Sequence, residues 1–376
     1  MTSALAPSHD DIAALERGST LLGCGGGGPT PLAASLLRRW TAGKALPRLL
    51  DAAELPPDAP VIATGIVGAT AALAEKPPGG AEFPAVVEAV AAATRTRPHA
   101  VMGIEVGGVN GVMVFAAAAV LGLDVVDADL MGRALPRLDQ LASAAAGRPL
   151  APVALAGGSG PTAVFDGIDD RATERLARSF LPEAGGWASV AFAPLRAADI
   201  ANAAIPGTVR RALHLGRTHL ALPVAGDART AARALGGELL CDGRVLEVVR
   251  HRTRRTFAQG TVTVVDDAAG ALTRVEMENE YLLALTDGTP VASTPDLICL
   301  VDRRTGSPVG CDQVRAGLDI AVLHLPGAAF WRHPDRIGRV GPRAFDLAHP
   351  PVLLDRPWTG GSDPADRAGR AAGAAR

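Results

Sequence analysis

Two hydrophobic periods run through the first 165 residues. Across residues 10–22, Ile12, Leu15 and Leu22 recur at helical spacing, with Asp10 or Asp11 placed to cap the helix. The glycine run at 23–28 stops that pattern, and a second helix is predicted over 29–40, with Pro31 suited to a first turn. Short apolar stretches at 60–67, 99–106 and 123–126 predict buried strands, and 83–94 and 109–121 predict helices between them. Apolar strands separated by helices predict a layered α/β domain with a mostly parallel sheet.

Past residue 165 the pattern changes. Amphipathic helices are predicted at 169–180 and 208–219, and β-branched runs at 243–251, 261–265, 274–285 and 297–302 predict strands. Asp287-Gly288 is a hairpin turn signal. The expected organisation is an α/β domain over 1–165, a β-rich α+β domain over 166–358 and a disordered tail over 359–376, with no internal repeat.

A chain of 376 residues is long enough for two domains, and 48% apolar with 20% charged residues excludes wholesale disorder. With 37 basic against 39 acidic residues the net charge is −2, so no nucleic-acid partner is expected. The longest apolar runs, 61–74 and 111–123, are too short to cross a bilayer and run into Glu75 and Asp124, so no membrane partner is expected either. The first ten residues lack the basic and apolar regions of a secretory signal. Cys24, Cys241, Cys299 and Cys311 form no CxxC pair, which suits a reducing cytoplasm.

Alanine and arginine dominate, whereas lysine occurs only at 44 and 76, asparagine only at 110, 202 and 279, and tyrosine once. In so skewed a chain, a rare residue type tends to mark a place where its chemistry is needed.

Four segments carry candidate chemistry. Gly25, Gly26, Gly27 and Gly28 before a helix can present backbone N–H groups to an anion, unless they are only a connector. Cys24 within that run is a candidate nucleophile or a small buried residue. Lys76, in a Pro/Gly-rich loop after a strand, either binds substrate or is a solvated turn charge. Glu105, within an apolar strand, is a candidate general acid or base, with Asn110 at the following helix start as an N-cap or a substrate contact. Asp127 and Asp129, two apart at a strand end, can share a proton, a metal or a water. Arg133 can hold Asp129 or a substrate carboxylate. The polar groups of 278–281 and 294–297 either face the first domain across a cleft or simply end strands, and the second is the expectation.

The eight histidines show no HxH or HExxH pattern, so a histidine zinc site is not expected. A divalent metal held by carboxylates or cysteine stays open, and no nucleotide motif is present.

Taken together, LLGCGGGGP, EKPPGGAEFPA, AVMGIEVGGVNG, VVDADLMGRALP, ENEYLLALTDG, STPDLICLVD and VGPRAF occur in an order that resembles the S-methyl thiohydantoin desulfurase-like family. Its genes accompany those of hydantoinases and oxoprolinases. The resemblance covers about residues 10–345 and implies an α/β N-terminal part and a β-rich C-terminal part. It also implies hydrolytic loss of sulfur from a thiohydantoin ring.

The expected function is therefore a hydrolase of a C–S or C–N bond in a small cyclic substrate. Glu105 or Asp127/Asp129 would activate water, with or without a metal, or Cys24 would attack directly. Gly25–Gly28 would hold the oxyanion, and Lys76, Asn110 and Arg133 would place the substrate. The alternative is a non-catalytic partner or ligand-binding subunit of a hydantoinase-type system. A homo-oligomer is left open.

Overall fold

The computed structural model describes residues 6–158, 160–224, 226–251 and 259–360. Of the tail expected from 359 onward, residues 361–376 lie outside that set.

In chain order the first part runs α1 (Ile12–Leu22), α2 (Thr30–Trp40), β1 (Leu49–Leu50), β2 (Pro60–Gly68), α3 (Thr70–Glu75), α4 (Glu82–Thr94), β3 (Ala100–Gly103), α5 (Val109–Leu121) and β4 (Asp124–Asp129). It continues with α6 (Ala142–Ala145), β5 (Val153–Gly157), β6 (Thr162–Phe165), α7 (Asp170–Phe180), β7 (Trp187–Ala191), β8 (Leu195–Arg196), α8 (Ile200–Ala203), β9 (Ile205–Pro206) and α9 (Thr208–Ala221). The sheet they form has the order β1-β4-β3-β2-β7-β5-β6, with β8 on β2 and β9 on β4. Its β1-β4-β3-β2 section is parallel, and helices connect these strands. The strands β5 to β9 join antiparallel.

Helix α5 shows why this part is layered. Its first ten residues, Val109 to Ala118, are all buried, so it has no solvent face to spare and sits inside the helical layer with α1 and α2. The opposite face of the sheet packs against α6, α8 and a late segment containing Trp331 and Phe345. Trp331 donates its Nε1–H to the Met131 carbonyl at 2.7 Å, so the segment around residue 331 closes back on the first sheet.

The second part is strand-rich: α10 (Ala228–Ala234), β10 (Glu238–His251), β11 (Gln259–Asp266), β12 (Leu272–Glu278), β13 (Glu280–Thr286), β14 (Thr289–Ser293), β15 (Leu297–Asp302) and β16 (Asp319–Leu325). These strands form one antiparallel sheet, order β14-β13-β12-β11-β10-β16-β15. The two-residue turn Asp287-Gly288 joins β13 to β14 with both φ angles positive, 48° and 82°, as a tight hairpin of that sequence requires.

The structure corrects three local expectations. The continuous strand expected over 274–285 is a hairpin, because Asn279 adopts φ 64° and turns the chain. The strand expected over 99–106 ends at Gly103, so Glu105 stands on the loop beyond it. Strands β7, β8 and β9, all past residue 165, belong to the first sheet; their Ala- and Pro-containing sequences carry little β signal.

Candidate functional site

Three parallel strands stop at Gly68, Gly103 and Asp129, and the loops beyond their carboxyl ends enclose a cavity of about 70 Å³. This is where an open α/β sheet offers a ligand site. Gly27 and Gly28, Glu105 and Asn110 line it from the first part, and Asn279 and Glu280 reach it from the β12–β13 hairpin. Its chemistry is built by both sheets.

Asn110 organises one wall. Gly108 occupies the N-cap of α5, leaving the Asn110 side chain to point at β2. Its Oδ1 accepts from the Ile66 N–H at 2.7 Å, and its Nδ2 donates to the Ile66 carbonyl at 2.9 Å and to Glu105 Oε1 at 2.8 Å. An amide held at both ends fixes the carboxyl group it touches. Burial pushes the Glu105 carboxyl up to about 8, against the pull of the Asn110 and Leu135 donors.

Glu280 lines the same cavity. It is 1% exposed, its Oε1 accepts from Asn279 Nδ2 at 3.0 Å, and its Oε2 is buried with no partner among the described residues. Burial and then the charge of Glu105 raise its pKa well above the usual carboxylate range.

The glycine run serves this pair. A Cβ on Gly26 would collide with the Glu280 carboxyl group, and one on Gly27 would lie 2.7 Å from the Gly108 Cα, so both positions must be bare for the loops to meet. Gly25 packs under Tyr281 and Cys311. Of the four expected to form a cradle, only Gly27 and Gly28 line the cavity.

The remaining expected residues are placed elsewhere. Asp127 accepts from the N–H groups of Val209 (2.9 Å) and Arg210 (3.2 Å) at the start of α9 and pairs with the Arg210 guanidinium at 2.6 Å. Asp129 accepts from Gly132 N–H at 2.9 Å and Val106 N–H at 2.6 Å, and burial pushes it up to about 7. The two acids thus lock different turns, and neither lines the cavity. Arg133 holds neither Asp129 nor an open ligand position. It is fully buried and donates to the carbonyls of Ala134, Asp296 and Tyr281, which fastens the first part to the second. Lys76 is exposed at the end of α3, outside the cavity.

Cys24 is fully buried and does not line the cavity. Burial raises its pKa, but a hydrogen bond from the Cys299 thiol and the nearby Arg133 and Arg211 guanidinium groups bring it below the ordinary thiol value. Asp296 meets His324 Nε2 at 3.1 Å and accepts from the N–H groups of Gly327 and Leu354 at 2.7 Å, a purely internal lock.

Sequence reasoning set Glu280 aside as a strand end and missed Arg137 and Arg178, yet all three line the cavity. A signal for Glu280 existed: the rare Asn279 stands between two acids. Nothing in their sequence context distinguished the two arginines from many others. Arg137 pairs with Asp139 at 3.2 Å and Arg178 with Glu174 at 2.7 Å. Among the described residues, no cluster of three or more His, Cys, Asp or Glu is arranged to hold a metal ion, and no helix is long and apolar enough to cross a membrane.

Residues 10–167 match the family model for the S-Me-THD-like N-terminal domain, and residues 168–352 match that for the S-Me-THD-like C-terminal domain. The chain is also similar to a protein from Chromobacterium violaceum of known crystal structure, at 25% identity and a TM-score of 0.74, over 93% of this chain and 100% of that one. No curated protein matches it.

Proposed function

Because the chain belongs to the S-Me-THD-like family over both of its parts, we propose that it is a hydrolase that removes sulfur from a small thiohydantoin-like ring, in the cavity around Glu105. The observation that carries this reading is the convergence of Glu105, Asn110 and the Gly27–Gly28 backbone on one cavity.

The chemistry needs a base for water, a site for developing negative charge, and a proton for departing sulfur. Ionised Glu105 takes a proton from water as its oxygen bonds to the sulfur-bearing ring carbon. The Gly27 and Gly28 N–H groups, just ahead of α2, are the donors that suit the developing charge. The C–S bond then breaks, the sulfur leaves protonated, and the ring carbon becomes a carbonyl as the second water proton passes to the adjacent ring nitrogen of an S-methyl ring or to the sulfur of an unmethylated one. An S-methyl ring yields methanethiol and an unmethylated one yields hydrogen sulfide. Arg137 and Arg178 are the cations available to orient an anionic substituent.

The test is to incubate the purified full chain with 2-thiohydantoins and their S-methyl derivatives and to measure released thiol. Release that is abolished in Glu105→Gln supports the reading. A folded wild-type protein that releases none overturns it.

A further inference from the structure

The proposed reaction leaves open which group supplies the proton to the departing sulfur. Within the cavity one acid has no assigned work: Glu280, buried, lining the same space as Glu105, with one carboxyl oxygen unpartnered among the described residues. A buried carboxyl oxygen without a donor is costly if ionised and inexpensive if it carries a proton.

We propose that Glu105 and Glu280 form a carboxyl pair that ionises one member at a time, Glu105 first, so that the working state holds one base and one acid. The assignment of each to a catalytic step rests on the ring-hydrolysis reading above; the pairing itself does not.

The surroundings set the order. Glu105 receives hydrogen bonds from Asn110 Nδ2 and the Leu135 N–H, which favour its charge; Arg178 also favours it, and Asp129 opposes it. Glu280 receives one, from Asn279, and faces Glu105 and Cys24 as like charges with Arg133 as its opposing cation. Once Glu105 is ionised, Glu280 keeps its proton. In the reaction, one water proton goes to Glu105, the Glu280 proton goes to sulfur, and the second water proton passes to the ring nitrogen of an S-methyl ring or to the sulfur of an unmethylated one. One proton then returns from Glu105 to Glu280, which restores the pair with no other reagent.

Placing these acids on separate sheets makes the pair depend on the fold being closed. Glu105 follows β3 of the first sheet, and Glu280 opens β13 of the second. Gly26 is the spacer whose missing side chain lets Glu280 reach this position.

The experiment follows protonated-carboxyl infrared bands of the full chain against pH in wild type, Glu105→Gln and Glu280→Gln, with circular dichroism confirming the fold, alongside thiol release. Beside the Asp129 band, wild type should lose a Glu105 and a Glu280 band in separate steps. Glu280→Gln should lack the Glu280 step, and in Glu105→Gln the Glu280 band should titrate at lower pH because its like charge is gone. Glu280→Gln should release thiol at least about 100-fold more slowly, the usual scale of a lost general acid. A Glu280 band that titrates at the same pH with and without Glu105 overturns the pair. If Glu280→Gln fails to fold, the comparison of wild type with Glu105→Gln still decides it. A folded Glu280→Gln with wild-type turnover overturns its role as acid. If wild type itself releases no thiol, the hydrolase reading and the catalytic roles fall together, while the titration still decides the pairing.

Discussion

Asn110 and Glu105 are joined at 2.8 Å, and the same asparagine amide is anchored to both backbone groups of Ile66. The end of β2 therefore positions the acid on the loop after β3, although the two never touch directly through their own side chains. Removing the amide, as in Asn110→Ala, strands a buried N–H and a buried carbonyl and should cost about 2–4 kcal/mol by urea unfolding. It also deletes a donor that favours the ionised acid, so the rising limb of the pH–rate profile should move to higher pH. A profile left unshifted in a folded Asn110→Ala protein would show that the contact does not tune Glu105.

Stability should report Glu105 independently of turnover. Its folded pKa, about 8, lies above its ordinary value, so the folded state keeps a proton that the unfolded chain releases. The contribution of this group to stability is complete below roughly pH 4 and declines as pH rises toward 8. Glu105→Gln removes that decline. Relative to wild type it should gain about 2–4 kcal/mol between pH 5 and pH 8, with no further change above. Denaturation curves at three pH values measure this, and an advantage that shrinks with pH would reverse the assigned direction.

Cys24 provides a contrast, because its thiol sits behind the glycine run beside Cys299 and two buried guanidinium groups. If water rather than sulfur attacks the ring, Cys24→Ala should keep turnover within about twofold while losing roughly 1–2 kcal/mol of stability, since the buried sulfur leaves a small void behind. Trapping of a covalent adduct on Cys24 by mass spectrometry would contradict this.

Gly26 gives a steric test of the same site. Its φ is not in the left-handed region, so the obstacle to Gly26→Ala is the Glu280 carboxyl group rather than backbone strain. The added methyl should displace Glu280 at a cost of about 1–3 kcal/mol and slow thiol release nearly as much as Glu280→Gln does. Normal turnover in Gly26→Ala would mean that the position of Glu280 is unimportant.

Much of the architecture could be read from periodicity. The pattern gave the bounds of α5 because an apolar run broken by paired glycines and ended by Gly122 has few other solutions. It failed where tertiary pairing replaced local signal: β7 reads WASVA, carries one β-branched residue, and is a strand because β2 and β5 flank it. At the site, Glu105 was legible as a carboxylate among apolar neighbours. Asp127 and Asp129 look similar along the chain, yet the N–H groups that satisfy them come from the start of α9 and from the turn at Gly132. Glu280 was obscured because its partner lies 175 positions away, across a hairpin that one asparagine creates.

The rim arginines carry a prediction about the substrate. Lys76 is outside the cavity and Arg133 is spent on backbone carbonyls, so Arg137 and Arg178 are the guanidinium groups that line it. Each is already tied down, Arg137 by Asp139, the Ala344 carbonyl and the Phe345 ring, Arg178 by Glu174 and the Pro136 carbonyl. They are therefore preorganised, and a carboxylate arriving at the rim meets them without ordering a flexible side chain. For a thiohydantoin ring bearing an acidic arm, Arg137→Ala should raise KM about tenfold, the equivalent of roughly 1.4 kcal/mol, and leave kcat nearly unchanged. The same substitution should scarcely affect a ring with a neutral arm, and added salt should narrow the difference between the two substrates in wild type. Equal KM changes for acidic and neutral rings would show that the rim charge does not select the substrate.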